Sequence, residues 1–425
     1  MRENFNKTIR QNRIYLSVLL YPLWTIYLSF KHFRMPQAKN LFWLFCCFLG
    51  LIHIYSPDMM VDEFDGYRIV EQFISFHQNT LSFDEFLSLF YQEDGMFVDL
   101  YLPVITYFLS IVTGNPRFLF FVFALIFGFF FSRNIWFVLE KFPSTIGLPL
   151  VVITIYYILI CPIWIIDGGR MGTAIQVFVF GALPYLYNSD KSKLIWCIAS
   201  LFIHFSMFLP LAILLVYYFV PKSVYLLLSF YILSIFIMNL NLEVVRDLLS
   251  SYLPSFLLRR VDWYTNESYA QHYMEAKSNL NFYVEGSKLT VRWVVTVLFL
   301  VSGILGNKII HANEALKRFF CFSLFIYSIA NIISFIPSAG RFIPLSQMFA
   351  FVSFLIFHIF YKQGKIKKKE INFVFNTVPA LILFPIIYSL RVGCDYYGIS
   401  LFLNPVAALF VDDNQPIIHF FKSIF

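Results

Sequence analysis

Residues 161–210 read CPIWIIDGGRMGTAIQVFVFGALPYLYNSDKSKLIWCIASLFIHFSMFLP. Two apolar runs flank the polar block Asp167-Gly168-Gly169-Arg170, and a third carries His204 in its middle. The runs approach the ~20 residues that a helix needs to cross a bilayer. An ionisable group at membrane depth costs at least about 2.5 kcal/mol, so it faces a cavity or a partner rather than lipid. An Arg beside an Asp and two glycines therefore reads as one wall of a polar site opening to the non-cytoplasmic side.

The rest of the chain repeats the pattern. Of its 425 residues 59% are hydrophobic and only 13% charged, too few polar groups to cover a soluble domain. The sequence predicts an all-α fold, a polytopic transmembrane bundle of about 11–13 segments, forming a single integral membrane domain over residues 1–425. The net charge of +7 lies between apolar runs, which is the positive-inside pattern rather than a nucleic-acid surface. The cysteines sit mostly in or beside apolar runs and read as buried thiols. The chain carries no P-loop or dinucleotide fingerprint, so the energy for a reaction has to come from the substrate or a gradient.

Charge placement orients the chain. Pro57–Asp99 is acidic, with Arg68 its only Lys or Arg, and belongs outside. Within it, Tyr67–Phe76 and Phe83–Phe90 space Phe and Leu as amphipathic surface helices do. Asn241–Lys288 is a second large external region. Lys362, Lys365 and Lys367–Lys369 mark the cytoplasm and put Gly340-Arg341 on the same outer side as Arg170. Ile14–Phe30 reads as the first span. Leu194–Val220 is too long for one simple helix, with Pro210 as the expected break and His204 near the fold.

Arg170 and Arg341 each follow glycine at a helix start. Glycine lets a ligand approach the backbone, helix N-termini present unpaired N–H groups, and guanidinium forks grip phosphate oxygens. Together they describe a phosphate or pyrophosphate site at the outer face, with Asp167 orienting Arg170. The competing reading is two arginines anchored among lipid headgroups. His204 reads as a general base, a hydrogen-bond donor or a packed structural residue. Asp62 and Asp65, just before Tyr67, either accept a proton from an attacking sugar hydroxyl or belong to a solvated loop. Trp263, with Arg260 nearby, either stacks on a sugar face or joins an interfacial aromatic belt.

Taken in order, the motifs Asp62-Glu63-Phe64-Asp65-Gly66-Tyr67, Arg170-Met171-Gly172-Thr173-Ala174, Asp190-Lys191-Ser192-Lys193, Ile203-His204-Phe205-Ser206 and Arg341-Phe342 resemble those of the EpsG-type and Wzy-type polysaccharide polymerases. The resemblance runs from about Asp58 to Phe360; Gly168-Gly169 replaces the Leu and Asn common before the first Arg of such motifs. It implies a metal-independent, cofactor-free, GT-C-like glycosyl transfer at the outer face of a bacterial inner membrane. Its partners would be an undecaprenyl-pyrophosphate-linked glycan donor and acceptor, membrane lipids and a chain-length regulator protein, with no nucleic acid. His204, Asp62 and Asp65 would be catalytic; Arg170, Arg341, Asp167, Tyr67, Arg260 and Trp263 would bind substrate. Two rivals remain on the sequence: a membrane O-acyltransferase with His204 as base, and a transporter of lipid-linked sugars.

Overall fold

The computed structural model describes residues 15–55, 65–91, 99–237, 281–334, 336, 339–364, 368–411 and 415–424, and every regular element among them is helical. Besides the short helices Leu16–Leu20, Asn307–His311, Pro405–Phe410 and Ile417–Ile424, the helices in chain order are α1 (Pro22–Lys31), α2 (Ala38–Leu51), α3 (Asp65–Gln78), α4 (Phe83–Tyr91), α5 (Tyr101–Val112), α6 (Pro116–Leu139), α7 (Leu148–Ile160) and α8 (Met171–Asn188). They continue with α9 (Leu194–Ile203), α10 (Phe208–Phe219), α11 (Val224–Phe236), α12 (Phe282–Leu300), α13 (Glu314–Ile333), α14 (Phe342–Gln363), α15 (Lys369–Leu381) and α16 (Leu383–Gly393). Among the described residues six helical stretches are long and apolar enough to cross a membrane, and α2, α5, α11 and the stretch Phe205–Phe219 are shorter apolar helices. The all-α polytopic class expected from composition is what the chain forms.

The chain divides into two compact units. The first comprises Met1–Phe142, Pro162–Leu211 and Ser389–Phe425; the second comprises Pro143–Cys161 and Ala212–Tyr388.

In the first unit α2 packs along α6 through small residues on both helices. A Cβ on Gly50 would lie 2.5 Å from the Phe120 carbonyl oxygen, and one on Gly128 would lie 2.6 Å from the Cys46 Cβ. Cys46 and Gly50 are four apart on one helix, as Ala124 and Gly128 are on the other, so each pair lies on one face. Close backbone approach through small residues is how helices associate where lipid removes the hydrophobic drive. α8 and α9 form a hairpin closed by Ser189 in the left-handed conformation (φ 62°) and by Asp190, whose carboxylate accepts from the Ser192 N–H at 3.1 Å.

The acidic stretch expected outside contributes α3 and α4, both helical where amphipathic spacing predicts helices. Ser82 and Glu85 form a reciprocal capping box at the start of α4. Donation to the Glu85 carboxylate by Ser82, from its backbone N–H first and then from its side chain, holds the exposed carboxyl below its usual range. The layer docks on α5: Phe86 stacks on Tyr107 at 4.1 Å, and His77 Nδ1–H donates to the Ser110 carbonyl at 2.6 Å.

In the second unit polar side chains join apolar helices. Tyr231 and Thr296 share a hydrogen bond of 2.9 Å, Asn331 donates to Ser234 at 3.0 Å, and Ser323 donates to the Phe349 carbonyl at 3.0 Å. Arg292 caps the end of α11 by donating to the Ile235 carbonyl at 2.9 Å.

Three expectations are corrected. The first span is interrupted: Tyr21 is extended and Pro22 begins a new helix, because proline lacks the N–H and crowds the preceding turn. The long run after Lys193 breaks at His204 rather than at Pro210. Residues 282–288, expected in an external loop, already belong to α12; residues 241–280 lie outside the described residues.

Candidate functional site

The candidate site lies in the first unit and grows from the turn between residues 163 and 170. Ile163–Gly168 is a 3-10 turn, and Gly169 follows at φ 69°, ψ −51°. The Arg170 N–H donates back to the Gly168 carbonyl at 2.8 Å, which makes Gly169 the centre of a γ-turn of the rare positive-φ kind. Only glycine adopts this backbone without strain. Space is also short there, since a Cβ on Gly169 would lie 2.8 Å from the end of Ile69. Gly168 differs: a Cβ there would meet nothing within 4 Å among the described residues, so one side of this turn is open.

The γ-turn delivers Arg170 to the N-cap of α8. Its Nη1 donates to Asp99 Oδ2 at 2.8 Å, and the Arg170 side chain is 41% exposed against 4% for Asp99. A buried carboxylate therefore anchors one edge of the guanidinium while much of the fork stays accessible. Asp99 Oδ1 accepts from the Phe205 N–H at 2.6 Å, and the adjoining Leu100 N–H donates to the Phe202 carbonyl at 3.0 Å. These bonds satisfy the backbone groups that the break between α9 and α10 sets loose; interrupted helices at membrane depth need such substitutes.

His204 sits at that break. Its Nδ1 lies 2.9 Å from Ser206 Oγ and accepts from the Ser206 N–H at 3.2 Å. Accepting a backbone N–H requires a bare Nδ1, so the neutral ring carries its hydrogen on Nε2. In the first turn of α8 the buried hydroxyl of Thr173 faces that of Tyr101.

Asp167 is not the partner of Arg170. The reversal at Gly169 sends the two side chains to different neighbours, and Asp167 Oδ1 lies 3.3 Å from Nε2 of the buried His53. The His53 ring stacks on Tyr396 at 5.3 Å. The same Asp167 carboxylate presses against Gly66 in the first turn of α3, so closely that any side chain at 66 would overlap it.

The first unit thus brings together Arg170, Asp167, His204 and the start of α3. Asp65 is exposed at that start and pairs with Arg68; Tyr67 is half-buried. Arg341 belongs to the second unit, half-buried at the end of the 3-10 turn Ala339–Arg341 that leads into α14. Asp62, Arg260 and Trp263 lie outside the described residues. Sequence reasoning passed over Asp99, His53, Tyr101 and Thr173. Asp99 alone left a trace, as the last polar residue before an apolar run.

No curated protein and no solved structure matches the chain. A family model described as "EpsG family" matches residues 71–402, most of its length. With the six apolar helices, this makes the chain a multi-pass membrane protein. The chain belongs to the EpsG family, and its role is of the polysaccharide-polymerase type.

Proposed function

We propose that this protein joins lipid-pyrophosphate-linked glycan repeat units at the outer face of a bacterial inner membrane, as a GT-C-like glycosyltransferase of the O-antigen or capsule polymerase kind. The observation that carries the reading is the half-exposed Arg170, held by buried Asp99 at the N-terminus of α8 beside the open flank of Gly168. A helix N-terminus, a guanidinium fork and a bare glycine backbone suit an oxyanion better than they suit a neutral sugar.

In the reaction, the bond from the anomeric carbon of the donor glycan to its pyrophosphate oxygen breaks, and the pyrophosphate leaves with the electron pair. The acceptor hydroxyl oxygen bonds to that carbon and gives up its proton. Arg170 stabilises the charge growing on the departing oxygen. His204, with its hydrogen on Nε2, serves better as a donor to phosphate than as a base. The proton falls to a carboxylate at the start of the external layer, Asp65 or Asp62. Arg341 is assigned a second phosphate-binding role, and Tyr67, Arg260 and Trp263 roles in holding the glycan, on sequence grounds; Asp167, buried against His53, supports the turn that carries Arg170. A chain-length regulator is the expected protein partner.

A deletion strain tests this. Single-unit lipid-linked glycan is expected to accumulate at the outer face while long surface polymer disappears. Accumulation at the inner face would instead make the protein a transporter, and polymer of normal length with altered decoration would make it an acyltransferase.

A further inference from the structure

Resting on the pyrophosphate reading, we infer that Asp99 is the positioning residue of the headgroup site and acts through Arg170. Asp99 touches no open space of its own: its side chain is 4% exposed, and each oxygen is engaged, Oδ2 with Arg170 and Oδ1 with the Phe205 N–H. One carboxylate thereby fixes two features that the sequence separates widely, the guanidinium at the start of α8 and the backbone beside His204. A guanidinium on a flexible stem loses rotamer entropy when it grips a ligand. An arginine already pinned along one edge has given up much of that freedom before the ligand arrives. The Arg170 side chain as a whole stays 41% exposed, and its fork has donors beyond the Nη1 that Asp99 holds. The charge on Asp99 also offsets the cost of holding Arg170 beside an apolar helix end.

Asp99→Asn isolates the Arg170 arm. The amide keeps an oxygen for the Phe205 N–H and turns an NH2 group, a donor, toward the guanidinium. The experiment measures the Kd of farnesyl pyrophosphate, with farnesol as the control, on the purified full chain in detergent micelles. Wild type, Asp99→Asn, Arg170→Lys and the double variant are compared. Asp99→Asn is expected to raise Kd roughly tenfold through lost pre-organisation. The double variant is expected within about threefold of Arg170→Lys, because residues acting through one another are not additive. Wild-type affinity in Asp99→Asn, or losses that multiply in the double variant, overturns the inference. If Arg170→Lys binds as wild type does, or wild type binds farnesol equally well, the pyrophosphate reading itself falls and takes the inference with it. Should Asp99→Asn fail to fold, Asp99→Glu replaces it: the charge stays, the reach lengthens by one carbon, and the same loss is expected, with wild-type affinity again the contrary result.

Discussion

Arg170→Lys is expected to leave folded protein in the membrane and to reduce long surface polymer to single or few repeat units. Lysine keeps a positive charge for Asp99 but loses the planar fork that engages two phosphate oxygens at once. Removal of one donor aimed at a developing oxyanion costs roughly 100-fold or more in rate. Polymerisation needs many consecutive transfers, so a loss of that size shortens the product from long chains to a few units. Arg170→Ala goes further, because Asp99 is then a buried carboxylate with the Phe205 N–H as its remaining described contact. Removing the cation leaves that carboxylate buried without its charge partner, a penalty below the roughly 3–5 kcal/mol of a fully buried pair because Arg170 is itself 41% exposed, so the alanine variant is expected to lose some abundance as well as activity. A gel of surface polysaccharide, read beside an immunoblot of the membrane fraction, separates the two effects. Normal polymer in the lysine variant would remove Arg170 from the chemistry.

Gly50→Leu is expected to prevent the first unit from assembling. A Cβ at residue 50 would sit 2.5 Å from the Phe120 carbonyl oxygen, an atom of the helix backbone that cannot rotate aside as a side-chain tip can. The α2–α6 pair would have to separate along its length, and overpacking of this kind costs roughly 3 kcal/mol even in cores that adjust. His53 follows α2 directly, so the displacement would carry His53 away from Asp167. The check is the yield of monodisperse protein in mild detergent. Gly168→Leu, at a position with open space, serves as the comparison and is expected to give wild-type yield.

The fold was legible where one physical rule dominates. Long apolar runs separated by basic turns can only be helices in a bilayer, and α6, α13 and α14 lie close to where hydropathy puts them. Local chemistry was legible too: the helix start after Gly169, the capping box of α4 and the amphipathic spacing of α3 are written within a few residues. Partner choice was not. Asp167 is three residues from Arg170 and was the natural partner on proximity, yet the positive φ at Gly169 turns the chain between them, a property of backbone geometry that no spacing rule encodes. Asp99 reaches Arg170 across 71 residues, and in sequence it is one more acid in an acidic loop. Sequence puts His204 near the break but points to Pro210 as the breaker, because proline is the usual one. The interruption is instead supported by a carboxylate and an N–H from the start of α5, and such support comes from tertiary structure.

The most direct test is chemical. Phenylglyoxal modification of the purified full chain, mapped by mass spectrometry, reports on Arg170 without requiring the natural glycan. Arg170 is expected to react in the free protein and to be protected by farnesyl pyrophosphate but not by farnesol. Equal modification of Arg170 with and without farnesyl pyrophosphate would mean that no pyrophosphate docks on this guanidinium.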